Sequence, residues 1–194
     1  SGPICALCPA GERLLSGAGD GSIKIWATAD PSCAHTLKAH RQSVYALAAA
    51  PDSRLFASGS ADALIKLWDV KTGACRATLS GHAGPVTSLG VTPDGRFIVS
   101  GSVDSTVRLW DTAAGTCVRI FEDRSSPVTC LDVSSDGMRV ITGHADCSIR
   151  IWEIETGSCL SAVQGHAGRI TAVAMSCDRH CAASGSDDGT VRLW

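Results

Sequence analysis

Between residues 86 and 121 the apolar positions change rhythm from one short segment to the next, and no window of the chain carries helical periodicity. In VTSLGVTPDG, residues 86–95, apolar side chains fall at Val86, Leu89 and Val91, ahead of a Pro-Asp-Gly turn. That three-then-two spacing predicts a strand with a bulge. FIVSGS, residues 97–102, opens as a continuous apolar run and predicts a second strand. Asp104-Ser105 supplies a tight turn, and TVRLWD, residues 106–111, alternates as a third strand. Gly115 closes another turn before CVRIF, residues 117–121, the fourth strand. The unit is therefore four short antiparallel strands.

The same pattern recurs through the whole chain. Trp26, Trp68, Trp110, Trp152 and Trp194 are the only tryptophans, and each follows the last by 42 residues. Six residues before each stands an acid (Asp20, Asp62, Asp104, Asp146, Asp188), and ten before each a hydroxyl (Ser16, Ser58, Ser100, Thr142, Ser184). A fixed period of this size, with four strands per copy, predicts an all-β propeller of about five blades. The copies cover approximately residues 3–37, 44–79, 86–121, 128–163 and 170–194, a single repeat array over residues 1–194. The fifth lacks its fourth strand, and the first lacks the residue that would match His40.

Composition narrows the function. The 194 residues carry 17 Lys and Arg against 19 Asp and Glu, with no long run of one sign, so no non-specific nucleic-acid footprint is expected. No apolar run is long enough to cross a bilayer as a helix. Ten cysteines are many. Four of them, Cys33, Cys75, Cys117 and Cys159, recur with the 42-residue period. Equivalent positions on different blades lie too far apart for disulfides. These four are expected as small half-buried packing residues, and the chain is expected in a reducing compartment, cytoplasm or nucleus. Cys5 and Cys8 have CxxC spacing but face opposite sides of a strand, and Cys177, His180 and Cys181 supply no second pair, so no metal site is expected.

Gly81-His82 and Gly165-His166, the near match Ala39-His40, and the pairs Trp68-Asp69 and Trp110-Asp111 together resemble the WD40-repeat family over essentially the whole chain. The resemblance implies a hydrogen-bonded structural tetrad inside a blade, made of histidine, hydroxyl, aspartate and tryptophan. Carried over, the sets are His40, Ser58, Asp62 and Trp68; His82, Ser100, Asp104 and Trp110; and His166, Ser184, Asp188 and Trp194. A buried indole, hydroxyl, imidazole and carboxylate can satisfy one another. Several equivalent Ser-His-Asp sets argue against a nucleophilic triad, which needs one nucleophile and one oxyanion hole. The fourth copy has Arg124 at the histidine position and Asp123 before it, so its tetrad is expected to be broken or rebuilt. Pro31 replaces the turn glycine of the other copies. The family's rings usually have seven or more blades, which makes a piece of a larger propeller the expected architecture.

The resemblance implies a non-catalytic protein-interaction scaffold, the docking or sensing part of a larger multidomain regulator. Its partners would be proteins or peptides, with no cofactor, small-molecule substrate, nucleic acid or membrane. The alternative is a substrate receptor of a cullin-type ubiquitin ligase. Trp68-Asp69-Val70-Lys71 is a near miss to that class's Trp-Asp-x-Arg. A nucleic-acid-binding propeller and a propeller enzyme rank lower, since the innermost strands hold a single acid, Asp132. In the family the loops before the first strands share a docking face with the turns between second and third strands. At variable points on these loops stand Arg41, Gln42, Tyr45, Arg124, Arg169 and Asp187, the candidate partner-binding residues.

Overall fold

The computed structural model describes residues 2–29, 32–122, 125–178 and 180–194. Pro31, Asp123 and Arg124 lie outside the described residues. Nineteen strands make five antiparallel sheets, with no helix among the described residues. The first blade holds β1 (Ile4–Ala10), β2 (Arg13–Ala18), β3 (Ser22–Ala27) and β4 (Cys33–Lys38). The second holds β5 (Val44–Ala49), β6 (Leu55–Ser60), β7 (Ile65–Asp69) and β8 (Cys75–Leu79). The third holds β9 (Val86–Val91), β10 (Phe97–Ser102), β11 (Thr106–Asp111) and β12 (Thr116–Glu122). The fourth holds β13 (Val128–Val133), β14 (Arg139–His144), β15 (Ser148–Glu153) and β16 (Cys159–Gln164). The fifth holds three strands, β17 (Ile170–Met175), β18 (Ala182–Ser186) and β19 (Val191–Leu193). Within each sheet the strands pair in chain order.

The bulge read from the spacing of Val86, Leu89 and Val91 is present. Ser102 faces Val86 while Gly101 faces Ser88, which leaves Thr87 as the extra residue. The same shift recurs at Tyr45 and Thr129. A left-handed residue follows the aspartate of each second turn: Gly21, Ala63, Ser105, Cys147 and Gly189, all with φ between 66° and 82°. Three of these five carry a side chain in a region that glycine occupies at lower cost.

The innermost strands β1, β5, β9, β13 and β17 meet one another in succession. Apolar burial follows this stacking, as a series of layers between blades. Leu15, Ile23 and Ile25 of the first blade pack with Val44, Phe56 and Trp68 of the second. Ile65, Leu67 and Leu79 pack with Val86, Ile98 and Trp110, and Val99, Val107 and Phe121 with Val128, Val140 and Trp152. Each tryptophan after the first thus seals its blade against the preceding one. A repeat that cannot bury its own face is stabilised by its neighbour. The succession is open: Leu7 on β1 and Leu193 on β19 are 64% and 78% exposed.

Hydroxyls and a carboxylate add polar ties between layers. Thr87 Oγ1 reaches the carbonyl of Val128 at 2.8 Å, and Thr129 Oγ1 that of Ile170 at 2.6 Å. Asp132, the lone acid of the innermost strands, accepts the amides of Val133 at 2.9 Å and of Met175 at 2.8 Å. One of its oxygens therefore holds its own strand, and the other ties the fourth blade to the fifth.

Candidate functional site

The tetrads are built by strand geometry. In the third blade, β10 carries Ser100, β11 carries Trp110, the turn between them carries Asp104, and the loop before β9 carries His82. The Trp110 indole N–H donates to Ser100 Oγ at 2.8 Å. Ser100 Oγ lies 2.7 Å from His82 Nε2, and His82 Nδ1 lies 2.8 Å from Asp104 Oδ2. Since the indole can only donate, the serine proton goes to Nε2 and the ring proton sits on Nδ1, facing the carboxylate. The second blade repeats this with Trp68 to Ser58 at 2.8 Å, Ser58 to His40 at 2.8 Å and His40 to Asp62 at 3.1 Å. The fifth has Trp194 to Ser184 at 2.9 Å, Ser184 to His166 at 2.8 Å and His166 to Asp188 at 2.9 Å.

This arrangement holds the loop in place. Ser58 and Ser100 are wholly buried, and each already accepts an indole proton, so neither can reach a substrate carbonyl. The aspartates also pin the loop backbone. Asp62 accepts the amides of Arg41 and Leu64, Asp104 those of Ala83 and Thr106, and Asp188 those of Ala167 and Thr190. Burial works against the charged form of Asp62 and Asp104. The amides and the facing imidazole outweigh it and hold both carboxyls below the usual range. The hydroxyl of Thr190 leads the same effect on Asp188. Burial pushes His40 below its ordinary value, and the charge of Asp62 offsets only part of that.

The fourth blade rebuilds its tetrad with a histidine from another element. His144, on β14, occupies the place held by Ser60 and Ser102 in the preceding blades. Its Nε2 meets Thr142 Oγ1 at 2.8 Å, and Thr142 accepts the Trp152 indole at 2.9 Å. Arg150 Nη1 lies 3.0 Å from His144 Nδ1, which also faces the Ser126 carbonyl at 3.3 Å, so an arginine and a backbone carbonyl stand where the other blades place the aspartate. Arg150 Nη2 pairs with Asp146 at 2.9 Å. Ser126, on the loop, takes over the duty of the displaced strand serine: its Oγ accepts the amide of Asp146 at 3.0 Å, as Ser60 and Ser102 do for Asp62 and Asp104. Thr142-Gly143-His144, against Ser-Gly-Ser in the two preceding copies, was the available clue that sequence reading passed over.

The candidate docking residues fall into two groups. Arg41, Gln42 and Tyr45 are exposed together before and on β5. Arg169 and Asp187 are exposed on the fifth blade, where the Asp187 amide donates to the Arg169 carbonyl at 2.9 Å. The third and fourth blades stand between the two groups, and Arg124 lies outside the described residues. Tyr45 stands at the bulge position where Thr87 and Thr129 tie one blade to the next, yet its side chain is 44% exposed.

Other candidates resolve into local structure. All ten cysteines are free. Cys33, Cys75 and Cys159 are exposed, and only Cys117 is half-buried, which corrects the expected packing role. The cause is that each sits at the start of an edge strand and turns its thiol toward a carbonyl two residues on, as Cys117 does to Arg119 at 3.4 Å. Among the described residues no group of His, Cys, Asp and Glu is placed to hold a metal ion. Lys24 and Lys66 lie over their own tryptophan rings, at 5.4 and 5.8 Å.

A family model described as WD domain, G-beta repeat matches the chain five times, over residues 1–27, 31–69, 73–111, 115–153 and 157–194. No curated protein matches the chain.

Proposed function

The chain belongs to the WD40-repeat family, and we propose that it is a protein-interaction scaffold whose docking face is formed by the loops that the tetrads pin. Repeats of this family generally mediate protein–protein scaffolding. The observation that carries the finer reading is the loop of the second blade. Asp62 fixes the Arg41 amide, and the Gln42 carbonyl accepts Ser60 Oγ at 3.2 Å, so the loop backbone is rigid while three large side chains face solvent. Preordered arginine and tyrosine bind at low entropic cost. Tyr45 supports the reading further, because its position serves cohesion in the next two blades and display here. The scaffold is the docking part of a larger regulator, in a reducing compartment of the cell.

The test uses partners captured by the wild-type protein and then purified. The double variant Arg41→Ala with Tyr45→Ala weakens binding by at least about 1–2 kcal/mol and leaves the melting temperature in place. Unchanged binding in that variant, with loss on Lys71→Glu at the opposite end of the blade, moves the docking face to the other side.

A further inference from the structure

Strand direction sorts the connections into two ends. The pinned loops and the turns between second and third strands lie at one end. At the other lie the turns between first and second strands and those between third and fourth. On this second end a groove of about 1060 Å³ runs between the third and fourth blades. Its apolar surface comes from Phe97, Leu109, Val118, Met138 and Ile154. Met138 and Val118 are 64% and 49% exposed, open to a visitor rather than packed away.

Five carboxylates line this groove: Asp94, Asp111, Asp136, Glu153 and Glu155. Its two basic side chains are engaged locally. Arg119 Nη1 donates to the Thr156 carbonyl at 2.9 Å, and the Arg96 guanidinium lies 5.3 Å from the centre of the Phe97 ring. The repeat supplies an internal comparison. The equivalent groove between the first and second blades holds about 640 Å³, and there bases outnumber acids. In the 42-residue register, Met138 replaces Arg54 and Glu155 replaces Lys71. The same scaffold position that carries a cation in the second blade carries an exposed apolar side chain or an anion in the fourth. Neither change is needed for the fold: the turn before Met138 closes as the one before Arg54 does, through left-handed Gly137 or Ser53, and the turn holding Glu155 closes as the one holding Lys71 does, through left-handed Gly157 or Gly73.

We propose that the groove between the third and fourth blades is a second docking surface, which takes an extended peptide segment alternating basic and aliphatic residues. The aliphatic side chains settle on Met138 and Val118 and the cations meet the carboxylate rim. The sign of the rim excludes nucleic acid and acidic peptides. This surface is separate from the loop face and does not rest on it.

A short labelled peptide alternating arginine with leucine, titrated against the whole chain by fluorescence anisotropy, tests the proposal. Matched peptides alternate glutamate with leucine, or arginine with glycine. The arginine–leucine peptide binds, weakens with added salt, and loses at least about tenfold in affinity in Met138→Arg with Glu155→Lys, which copies the second blade's own residues. Met138→Ser alone, at an exposed turn, gives a smaller loss in the same direction. Arg41→Ala with Tyr45→Ala leaves peptide affinity unchanged, which separates this surface from the loop face. The proposal is overturned by absent binding, by equal binding to the double variant, or by equally tight binding of the arginine–glycine or glutamate–leucine peptide.

Discussion

Val86 Cγ1 on the third blade stands 2.6 Å from the point where a Cβ on Gly59 of the second blade would lie. Gly17 faces Val44 and Gly101 faces Val128 in the same way, so the glycine between the hydroxyl and the next strand residue is what lets adjacent blades touch. The Val86 side chain is wholly buried and has no room to retreat. Gly185 is the internal control, because a Cβ there meets only Thr171 Oγ1, at 3.7 Å. Gly59→Ala is expected to cost about 1–3 kcal/mol by overpacking, and Gly185→Ala to leave stability within about 0.5 kcal/mol. Denaturant melts of both variants check this, and equal effects would show that the close approach does not set the cost.

Removing the acceptor at the end of a tetrad should act on folding alone. Asp104→Ala strands the His82 ring proton and the Ala83 amide, and is expected to cost about 2–4 kcal/mol. His144→Ala should cost a similar amount in the fourth blade, since Thr142 and Arg150 Nη1 both lose their ring partner. A thermal melt of each variant decides; an unchanged midpoint in His144→Ala would mean that the rebuilt network contributes nothing.

The pH dependence below neutrality follows from a histidine and aspartates that are all shifted downward. His40 is held below its ordinary value, so the unfolded chain takes up that proton first. The associated stability is complete above about pH 6.5 and falls as pH drops below it. Asp62, Asp104 and Asp188 are likewise lowered, and their contribution persists until about pH 4 and is lost further down. Melting midpoints should be level from pH 8 to 7, decline gently toward pH 5, and drop steeply below pH 4. His40→Gln should flatten the gentle segment; if that segment keeps its slope, His40 is not its source.

Ten alkylatable thiols are expected in protein prepared under reducing conditions, because all ten cysteines are free and most are exposed. Mass spectrometry after alkylation without reductant counts them. A reproducible disulfide in that preparation would count against placing the chain in a reducing compartment.

The 42-residue period alone determined the blades, because hydroxyl, acid and tryptophan sit at fixed offsets that only a repeated strand register explains. The bulge at Thr87 was legible for the same reason: an extra residue breaks the two-residue alternation between Val86 and Leu89. Period did not reveal the partner of the fourth tetrad. His144 lies at an unfamiliar offset on a strand, and only folding brings its ring between Thr142 and Arg150, where the loop supplies Ser126 in exchange. The exposure of Cys33, Cys75 and Cys159 also had to come from the structure, since spacing places them on the fourth strand but does not give the direction of the thiol. The groove between the third and fourth blades belongs to the tertiary level as well. Its lining comes from residues 92 to 155, and its five carboxylates come to outnumber the two arginines along one groove only once two neighbouring sheets stand side by side.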